Sequence, residues 1–348
     1  MSTVTIDRIA LLHYRGDQCL HQVRAAPNPV AVGDALAQAF ADWGATTLET
    51  DKFTMLAPVA DFTNTPVVKV PAGNYMGTAT MPRWITRTEI DAIPGIKPRG
   101  TTGLLLPLAN VTFTNMGFVG ECRDPNEDSG IFSWNADGKA GVRFTNCLLD
   151  ASKNCDWGAL YNWTPGRKTA YFDRSLIKHC RFGIAMADGG GDGQSLFVDK
   201  CNFMGDANGS HTFGDSSGID SENGGALAGV LIRGGMTSVL DTSFDLTGLD
   251  AEYDPRGVDG VPLKYGCRRM TAITDRYFTA SQDDIDIRLE RIRVKLNRRP
   301  ATPVAKDTLI HYRPPVIIYD EVAIAKIRGG SNPDGTLSFW QPTGDPGI

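Results

Sequence analysis

The sequence lacks the features that mark several large classes of protein. No stretch of about 18 apolar residues occurs, so we expect no membrane-spanning helix and no membrane partner. The N-terminal segment has no basic region followed by an apolar run and a cleavage site. We therefore expect no export signal, and a protein that acts where it is made or leaves its cell by lysis or inside a particle. The formal net charge of −5 argues against a nucleic-acid partner, because binding to phosphates requires a basic surface.

Spacings typical of metal sites are also missing. The chain has 7 cysteines, but none form the C-x-x-C pairs of a zinc site. Residues 187–194, A-D-G-G-G-D-G-Q, place Asp188 and Asp192 near enough to share a calcium ion. The run lacks the regular ligand spacing of a calcium loop, which favours a flexible turn. The sequence therefore predicts no metal site and no cofactor.

The sequence does contain a repeated pattern, which is clearest in residues 111–118, V-T-F-T-N-M-G-F. Apolar residues alternate with others, as in a strand with one buried face, but the phase slips by one residue at Asn115. A slip of one would turn the apolar side chains to the opposite face unless the chain bends there and the second strand belongs to a different sheet. Each copy is therefore predicted to be two short strands joined by a one-residue corner. The later copies begin at Val142, Ile177, Leu196, Val239 and Ile287.

A column of small or apolar residues follows the corners. Its predicted members are Met116, Cys147, Cys180, Cys201, Thr242 and Ile292. The three cysteines would be stacked on successive strands about 4.8 Å apart with parallel side chains, which does not suit the near-perpendicular torsion of a disulfide. We expect free thiols that pack as small hydrophobic groups.

The spacing of the column identifies the kind of repeat. Neighbouring members are 21 to 50 residues apart, which is typical of a solenoid, a propeller or an array. The shortest spacing, 21 residues, suffices for one coil of a parallel β-helix. A four-stranded propeller blade needs about 40 residues.

These repeats resemble the right-handed parallel β-helix of the pectate-lyase and phage-tailspike superfamily. Residues 67–75, V-V-K-V-P-A-G-N-Y, are similar to the opening strand of such proteins. The resemblance implies an all-β fold, a single-stranded right-handed parallel β-helix. In that family asparagines stack at the corners, whereas two of the six predicted corners here are Asn. The predicted organisation is an N-terminal arm and capping helix (1–60), the β-helix (61–297) and a C-terminal cap or oligomerisation segment (298–348).

The two ends have their own patterns. Residues 32–43 have helical spacing, with Asp34 as a candidate cap and Gly44 as a stop, and this helix would cover the first coil. A compatible alternative makes residues 1–30 an arm that anchors the chain to a larger particle. The basic run at 288–299 is interpreted as a solvated strand face. Residues 316–327 are predicted to be a further strand, in the segment where contact between copies is expected.

Two inserts between repeats hold candidate functional residues. In residues 155–169, exposed Trp157, Tyr161 and Trp163 would stack on sugar rings, and the alternative is that they pack on the coil or a partner subunit. The insert at 205–229 holds candidate catalytic residues for glycoside hydrolysis, which requires two carboxyl groups. They are Asp215, Asp220 and Glu222. The alternative is that these acids serve turns and hydration.

Two functions from different classes are consistent with these patterns. The first is a structural phage virion protein, a head spike, decoration protein or tail spike, assembled in the host cytoplasm. It would be a homotrimer that contacts capsid or tail proteins and binds a host surface polysaccharide. The second is a polysaccharide depolymerase that uses the carboxylates of residues 205–229. The paired acids and G-H-G of polygalacturonases and the calcium and arginine signatures of pectate lyases are absent.

Overall fold

A computed structural model describes about half of the chain. The described residues are 6–65, 68–78, 95–97, 104–105, 110–119, 130–134, 140–150, 158–162, 168–178, 182–186, 195–204, 228–232, 235–245, 271–274, 285–295, 310–311, 322–331 and 337–340. They form 27 strands, one α-helix and one short 3-10 helix, which confirms the predicted all-β class. No helix in these residues is long and apolar enough to span a bilayer.

The chain begins with a hairpin and the helix. They are β1 (Arg8–Arg15), β2 (Gln18–Ala25), α1 (Pro29–Trp43) and the 3-10 helix (Gly44–Thr46). The remaining strands are β3 (Lys52–Met55), β4 (Val59–Asp61), β5 (Val68–Lys69), β6 (Gly73–Gly77), β7 (Gly95–Lys97), β8 (Leu104–Leu105), β9 (Val111–Thr114), β10 (Gly117–Val119), β11 (Gly130–Trp134), β12 (Ala140–Thr145), β13 (Leu148–Asp150), β14 (Gly158–Asn162), β15 (Lys168–Asp173), β16 (Leu176–Lys178), β17 (Phe182–Met186), β18 (Ser195–Asp199), β19 (Asn202–Met204), β20 (Ala228–Ile232), β21 (Gly235–Leu240), β22 (Ser243–Asp245), β23 (Thr271–Thr274), β24 (Ile285–Lys295), β25 (Ile310–His311), β26 (Val322–Ser331) and β27 (Leu337–Trp340).

Strands β3 to β25 recur in sets of three, and each set adds one strand to each of three parallel ladders. The first ladder contains β3, β6, β9, β12, β15, β18, β21 and β24. The second contains β4, β7, β10, β13, β16, β19, β22 and the end of β24. The third contains β5, β8, β11, β14, β17, β20, β23 and β25. Because β24 pairs in both, the first and second ladders join into one sheet.

Five of the six predicted one-residue corners are confirmed, and they lie between the first and second ladders. Each corner residue has a positive φ between 47° and 54°, and the six are Asn115, Asn146, Arg174, Lys200, Asp241 and Arg291. This left-handed conformation turns the chain within a single residue, and Asn and Asp adopt it most readily among residues with a side chain. The side-chain amide of Asn146 also donates to Oδ1 of Asn115 at 2.7 Å, so two of the corners are stacked.

The predicted third repeat was wrong. Its corner is Arg174, and Ser175 rather than Cys180 occupies the buried column. Cys180 lies outside the described residues, and β17 of the third ladder begins at Phe182. The shortest spacing in the column is therefore 26 residues, from Ser175 to Cys201. The prediction began this copy at Ile177, which lies on β16 in the second ladder, so it started one strand too late.

The residues that follow the corners are buried, and the hydroxyl groups among them accept hydrogen bonds from backbone amides. The backbone N–H of Cys147 donates to Oγ of Ser175 at 3.1 Å, and that of Cys201 donates to Oγ1 of Thr242 at 3.3 Å. Each hydroxyl thus satisfies an amide of the preceding repeat that would otherwise be buried without a partner. Cys147 and Cys201 are free thiols, as predicted, and burial raises the pKa of each to about 12.

A continuous row of rings runs through the core along the first ladder. Six rings occupy one register position of successive strands, and two valines continue the row. The rings are His13, Phe53, Tyr75, Phe113, Phe144 and Phe172, and the valines are Val198 and Val239. Phe53 and Tyr75 stack with ring centroids 4.4 Å apart, and Phe144 and Phe172 stack at 4.8 Å. These side chains are at most 3% exposed, so they form the interior of the repeats.

The N-terminal end is closed by the hairpin and the helix. Strand β1 pairs antiparallel with β2 and with β3, so residues 8–25 are part of the sheet. The alternative that residues 1–30 anchor the chain to a larger particle stays a prediction. Helix α1 packs against β2, β4 and β5 and buries Leu36 and Phe40. It begins at Pro29 with Asn28 as the cap, so the predicted cap at Asp34 was wrong, whereas the end at Gly44 is confirmed.

The strands at the C-terminal end also pair in the antiparallel direction. Strand β26 pairs with β24, and β27 pairs with β26, so the sheet that holds the first two ladders is mixed. The strand predicted at 316–327 lies at Val322–Ser331. The basic run of β24 is paired along its backbone, and Arg291 binds Asp241 through Nη2 at 2.8 Å.

Candidate functional site

The structure does not test most of the functional residues predicted from sequence. Asp215, Asp220 and Glu222 lie outside the described residues, and so do Trp157 and Trp163. Tyr161 lies on β14 in the third ladder, where its backbone is in register with Ser133 and Ala185. The predicted carboxylate pair and the predicted aromatic cluster therefore remain predictions.

The described residues do include an aromatic surface, which we call the outer aromatic row. It consists of Arg143 on β12, Tyr171 on β15 and Phe197 on β18, at equivalent register positions in the first ladder. The rings of Tyr171 and Phe197 are parallel within 9°, with centroids 4.7 Å apart. The guanidinium carbon of Arg143 lies 4.4 Å from the centroid of the Tyr171 ring. The three residues form one continuous stack, held by ring stacking and a cation–π contact.

The outer aromatic row faces away from the core because its members alternate with buried residues. Arg143 lies between Val142 and Phe144, which are 1% and 0% exposed. Arg143 is exposed, while Tyr171 and Phe197 are half-buried. Successive side chains of a strand point to opposite faces, so a ring next to a buried position is directed toward solvent. Large aromatic residues at the outward positions of the repeats are the signal that could have identified this surface in the sequence.

Charged pairs flank the row on the side of the corners, and we call them the corner charge row. Asp173 accepts from Nη2 of Arg174 at 2.7 Å, and Asp199 accepts from Nζ of Lys200 at 2.9 Å. These hydrogen bonds raise the pKa of both cations, Arg174 and Lys200. Exposed pairs of this kind contribute little to stability, since water competes for both partners. Their charges are available to a ligand instead.

The opposite flank of the row carries hydroxyl groups. Thr169 and Ser195 are in register on β15 and β18, two residues before Tyr171 and Phe197, and both are half-exposed. Apolar ring edges with hydroxyls on one side and charged groups on the other match the mixed surface of a sugar, which has apolar C–H faces and a polar rim. The geometry suits binding rather than acid–base chemistry, because the nearest carboxylates are already paired with cations.

A second polar cluster lies at the N-terminal end, around the buried Asp51. Its Oδ1 accepts from Nε of Arg15 at 2.9 Å, and its Oδ2 accepts from Nη2 of Arg15 at 2.9 Å. Oδ2 also accepts from Nε2 of His13 at 2.9 Å and from the backbone N–H of Leu48 at 3.0 Å. The hydrogen bond from Arg15, followed by those from Leu48 and His13, holds the pKa of Asp51 well below its ordinary range. Asp51 therefore joins β1 to the connection between α1 and β3.

The imidazole of His13 is enclosed by aromatic rings. Phe53 stacks on it with centroids 4.4 Å apart, Trp43 lies at 5.1 Å and His21 at 5.3 Å. His13 is 2% exposed, so a substrate cannot reach it in the way that the histidine of a catalytic His–Asp pair is reached. In the residues described, Nδ1 of His13 is buried and has no hydrogen-bond partner.

A shallow apolar groove of about 390 Å³ lies near the start of α1. Its lining residues are Arg8, Ile9, Ala10, Ala25, Ala26, Pro27, Asn28, Pro29, Val32, Leu56, Ala57, Pro58 and Val59. Arg8 is the one ionisable side chain among them, so the groove offers no acid–base pair. Across the described segments, no group of three or more His, Cys, Asp and Glu side chains has the geometry of a metal site.

Comparison with known proteins adds no relationship to this picture. No protein-family model matches the chain, and no curated protein or solved structure has significant similarity to it.

Proposed function

We propose that this chain is a structural protein of a phage virion, a head spike, decoration protein or tail spike, built on a single-stranded right-handed parallel β-helix. The observation that carries the proposal is the set of three parallel ladders, to which each repeat contributes one strand. In a parallel β-helix the three ladders would be its three faces, and the corners at Asn115 and its equivalents would be turns between two faces.

Rigidity supports a structural role. Inner strands of each ladder are paired on both edges, and the interior row of rings runs through six consecutive strands from β1 to β15. A repeat of this kind is stabilised by contacts between neighbours and grows along one axis. Such a rod holds an outer surface at a fixed distance from its point of attachment. We place the contact between three copies of the chain in residues 298–348, which include β26 and β27.

The outer aromatic row is the surface that we propose for binding a host polysaccharide. Aromatic side chains flanked by hydroxyls and charges would contact both the apolar faces and the hydroxyl groups of sugar units. The row extends over three strands, about 10 Å at the usual strand spacing, which is long enough for two sugar units of an extended chain. Trp157, Tyr161 and Trp163 are proposed as a further carbohydrate contact.

A polysaccharide depolymerase is the second candidate function. The insert that holds Asp215, Asp220 and Glu222 connects β19 to β20, which are strands of the second and third ladders. Catalytic loops are commonly held between rigid strands in this way. Under this proposal, D215N, D220N or E222Q abolishes the release of reducing ends from a capsular or lipopolysaccharide preparation.

One experiment tests the structural proposal directly. The mass of the purified chain in solution is measured by light scattering, and virions of the phage that encodes it are labelled with an antibody against it. We expect three times the chain mass of 37.6 kDa and labelled particles. A monomeric mass together with unlabelled virions refutes the proposal. Release of reducing ends by the wild-type chain, lost in E222Q, refutes a purely structural role.

A further inference from the structure

His13 and His21 face each other across the N-terminal hairpin. They are direct partners in the antiparallel register of β1 and β2, so their side chains lie on the same face. Their ring centroids are 5.3 Å apart, with an angle of 34° between the ring planes. His13 is buried and His21 is exposed. One imidazole is therefore enclosed by its surroundings, and the other is exposed to solvent while its ring stacks on Trp43 with centroids 5.5 Å apart.

The two nitrogens of His13 have different surroundings. Nε2 donates to Oδ2 of Asp51 at 2.9 Å, and Asp51 is itself held by Arg15 and by the N–H of Leu48. With Nε2 as the donor, a neutral imidazole has its lone pair on Nδ1, since it carries one proton. Nδ1 is buried and finds no donor among the described residues. A buried acceptor without a partner is costly, and its presence in a folded protein calls for an explanation.

A bound metal ion would satisfy this nitrogen. Histidines that ligate metals almost always donate their other ring N–H to a carboxylate or carbonyl, which fixes the ring and increases its basicity. His13 has this arrangement through Asp51, and His21 is the imidazole directly opposite. We propose that Nδ1 of His13 and the ring of His21 bind one divalent transition-metal ion that prefers imidazole, Cu²⁺, Ni²⁺ or Zn²⁺.

The site has two protein ligands, and water completes the coordination. No third His, Cys, Asp or Glu side chain in the described segments joins the pair to form a cluster. Cys19 is exposed and lies opposite Tyr14, beyond a shift in the register of the hairpin, and its Sγ donates to the carbonyl of His21 at 3.6 Å. Both rings bind in the neutral form, and binding releases a proton only from a ring that was protonated. His21 is exposed and its ring lies 5.3 Å from that of His13, so under this proposal the ion enters from the side of His21.

Trp43 provides a local signal for the ion. Its ring lies 5.1 Å from that of His13 and 5.5 Å from that of His21, measured between centroids. A paramagnetic Cu²⁺ ion at this distance quenches indole fluorescence. The chain contains 6 tryptophans, so the W43F variant assigns the quenching to this position.

The experiment titrates the full chain with Zn²⁺ by calorimetry and with Cu²⁺ by fluorescence, and records the electron paramagnetic resonance spectrum of the Cu²⁺ form. Wild-type protein is compared with H21Q. Two controls, H211Q and C19S, remove another histidine and the exposed thiol. H21Q changes an exposed side chain, so it leaves the fold intact, whereas H13Q also removes a bond to Asp51.

We expect one saturable ion per chain, nitrogen couplings from two imidazoles, and quenching that is lost in W43F. H21Q should lower the affinity by at least about tenfold and leave coupling from one imidazole, while H211Q and C19S bind as wild type. Equal affinity of H21Q and wild type, or a spectrum without two nitrogen couplings, overturns the proposal. Weak binding of several ions that is lowered equally by every variant shows an adventitious ion only, and also overturns it.

Discussion

Replacement of Asp51 should lower the free energy of local opening at the N-terminal end, more in D51A than in D51N. In D51A, Nε2 of His13 and the N–H of Leu48 lose their acceptor in a site where the aspartate side chain is 0% exposed. Each buried donor without a partner costs about 1 to 3 kcal/mol, so the loss of the acceptor for two donors should cost about 2 to 6 kcal/mol of local stability. Arg15 adds little to this figure, because its side chain is 43% exposed and water replaces the lost contacts.

The D51N variant separates charge from hydrogen bonding. Its amide oxygen takes the place of Oδ2 and keeps the bonds from His13 and Leu48, while its amide nitrogen faces Nε of Arg15. The loss should be about 1 kcal/mol, the difference between a charged and a neutral acceptor. The assay is hydrogen–deuterium exchange of the amides of β1 and β3, which reports the free energy of local opening. D17A, at an exposed position, is the matched control.

The same variants give a pH test. The pKa of Asp51 is lower in the folded state than its ordinary value of 3.8, so the carboxylate stabilises the fold above that value. The difference in the free energy of local opening between wild type and D51N should have its full size at neutral pH and should shrink as the pH falls below about 4. The reasoning is refuted if D51A opens as rarely as D17A, or if the difference between wild type and D51N is unchanged at acid pH.

Two further predictions concern the corners and the thiols. N146A should lower the free energy of unfolding, measured with urea, by about 1 to 3 kcal/mol, because alanine is strained at φ 52° and cannot donate to Asn115. N146G should lower it less, because glycine tolerates this φ. Equal losses in the two variants would contradict the backbone argument. In the folded protein at pH 8, Cys147 and Cys201 should resist alkylation because burial raises the pKa of each to about 12, while exposed Cys19 is modified. Peptide mass spectrometry distinguishes the three sites, and rapid labelling of Cys147 would show that the column is open.

The sequence predicted the local geometry of the repeats well, for a physical reason. A strand with one buried face must alternate, and a slip in phase can be accommodated only by a bend, so Val111, Phe113 and Asn115 specify two strands and a corner. The buried thiols followed from the same alignment. The helix end at Gly44 was also predicted correctly, because its φ of 41° is a conformation that glycine adopts without strain.

Other features depended on contacts that no local pattern contains. Ser175 serves in the buried column because its hydroxyl donates to the carbonyl of Asp173 at 3.0 Å and accepts from Cys147, 28 residues away. The helix cap at Asn28 was missed because the apolar spacing used for the prediction begins later, at Val32. Asp34, which was taken for the cap, instead accepts from the amide of Asn64 at 2.9 Å.

The sequence alone determined that this is an all-β protein of repeated strand pairs, because alternation and its phase are properties of neighbouring residues. Only the tertiary structure decided what the repeats bring together. Arg143, Tyr171 and Phe197 become one surface through the parallel register of three strands, and His13 meets His21 and Asp51 through antiparallel pairing and the connection after α1. The reason is that register and connection lengths, which are set by packing of the whole chain, decide which distant side chains become neighbours.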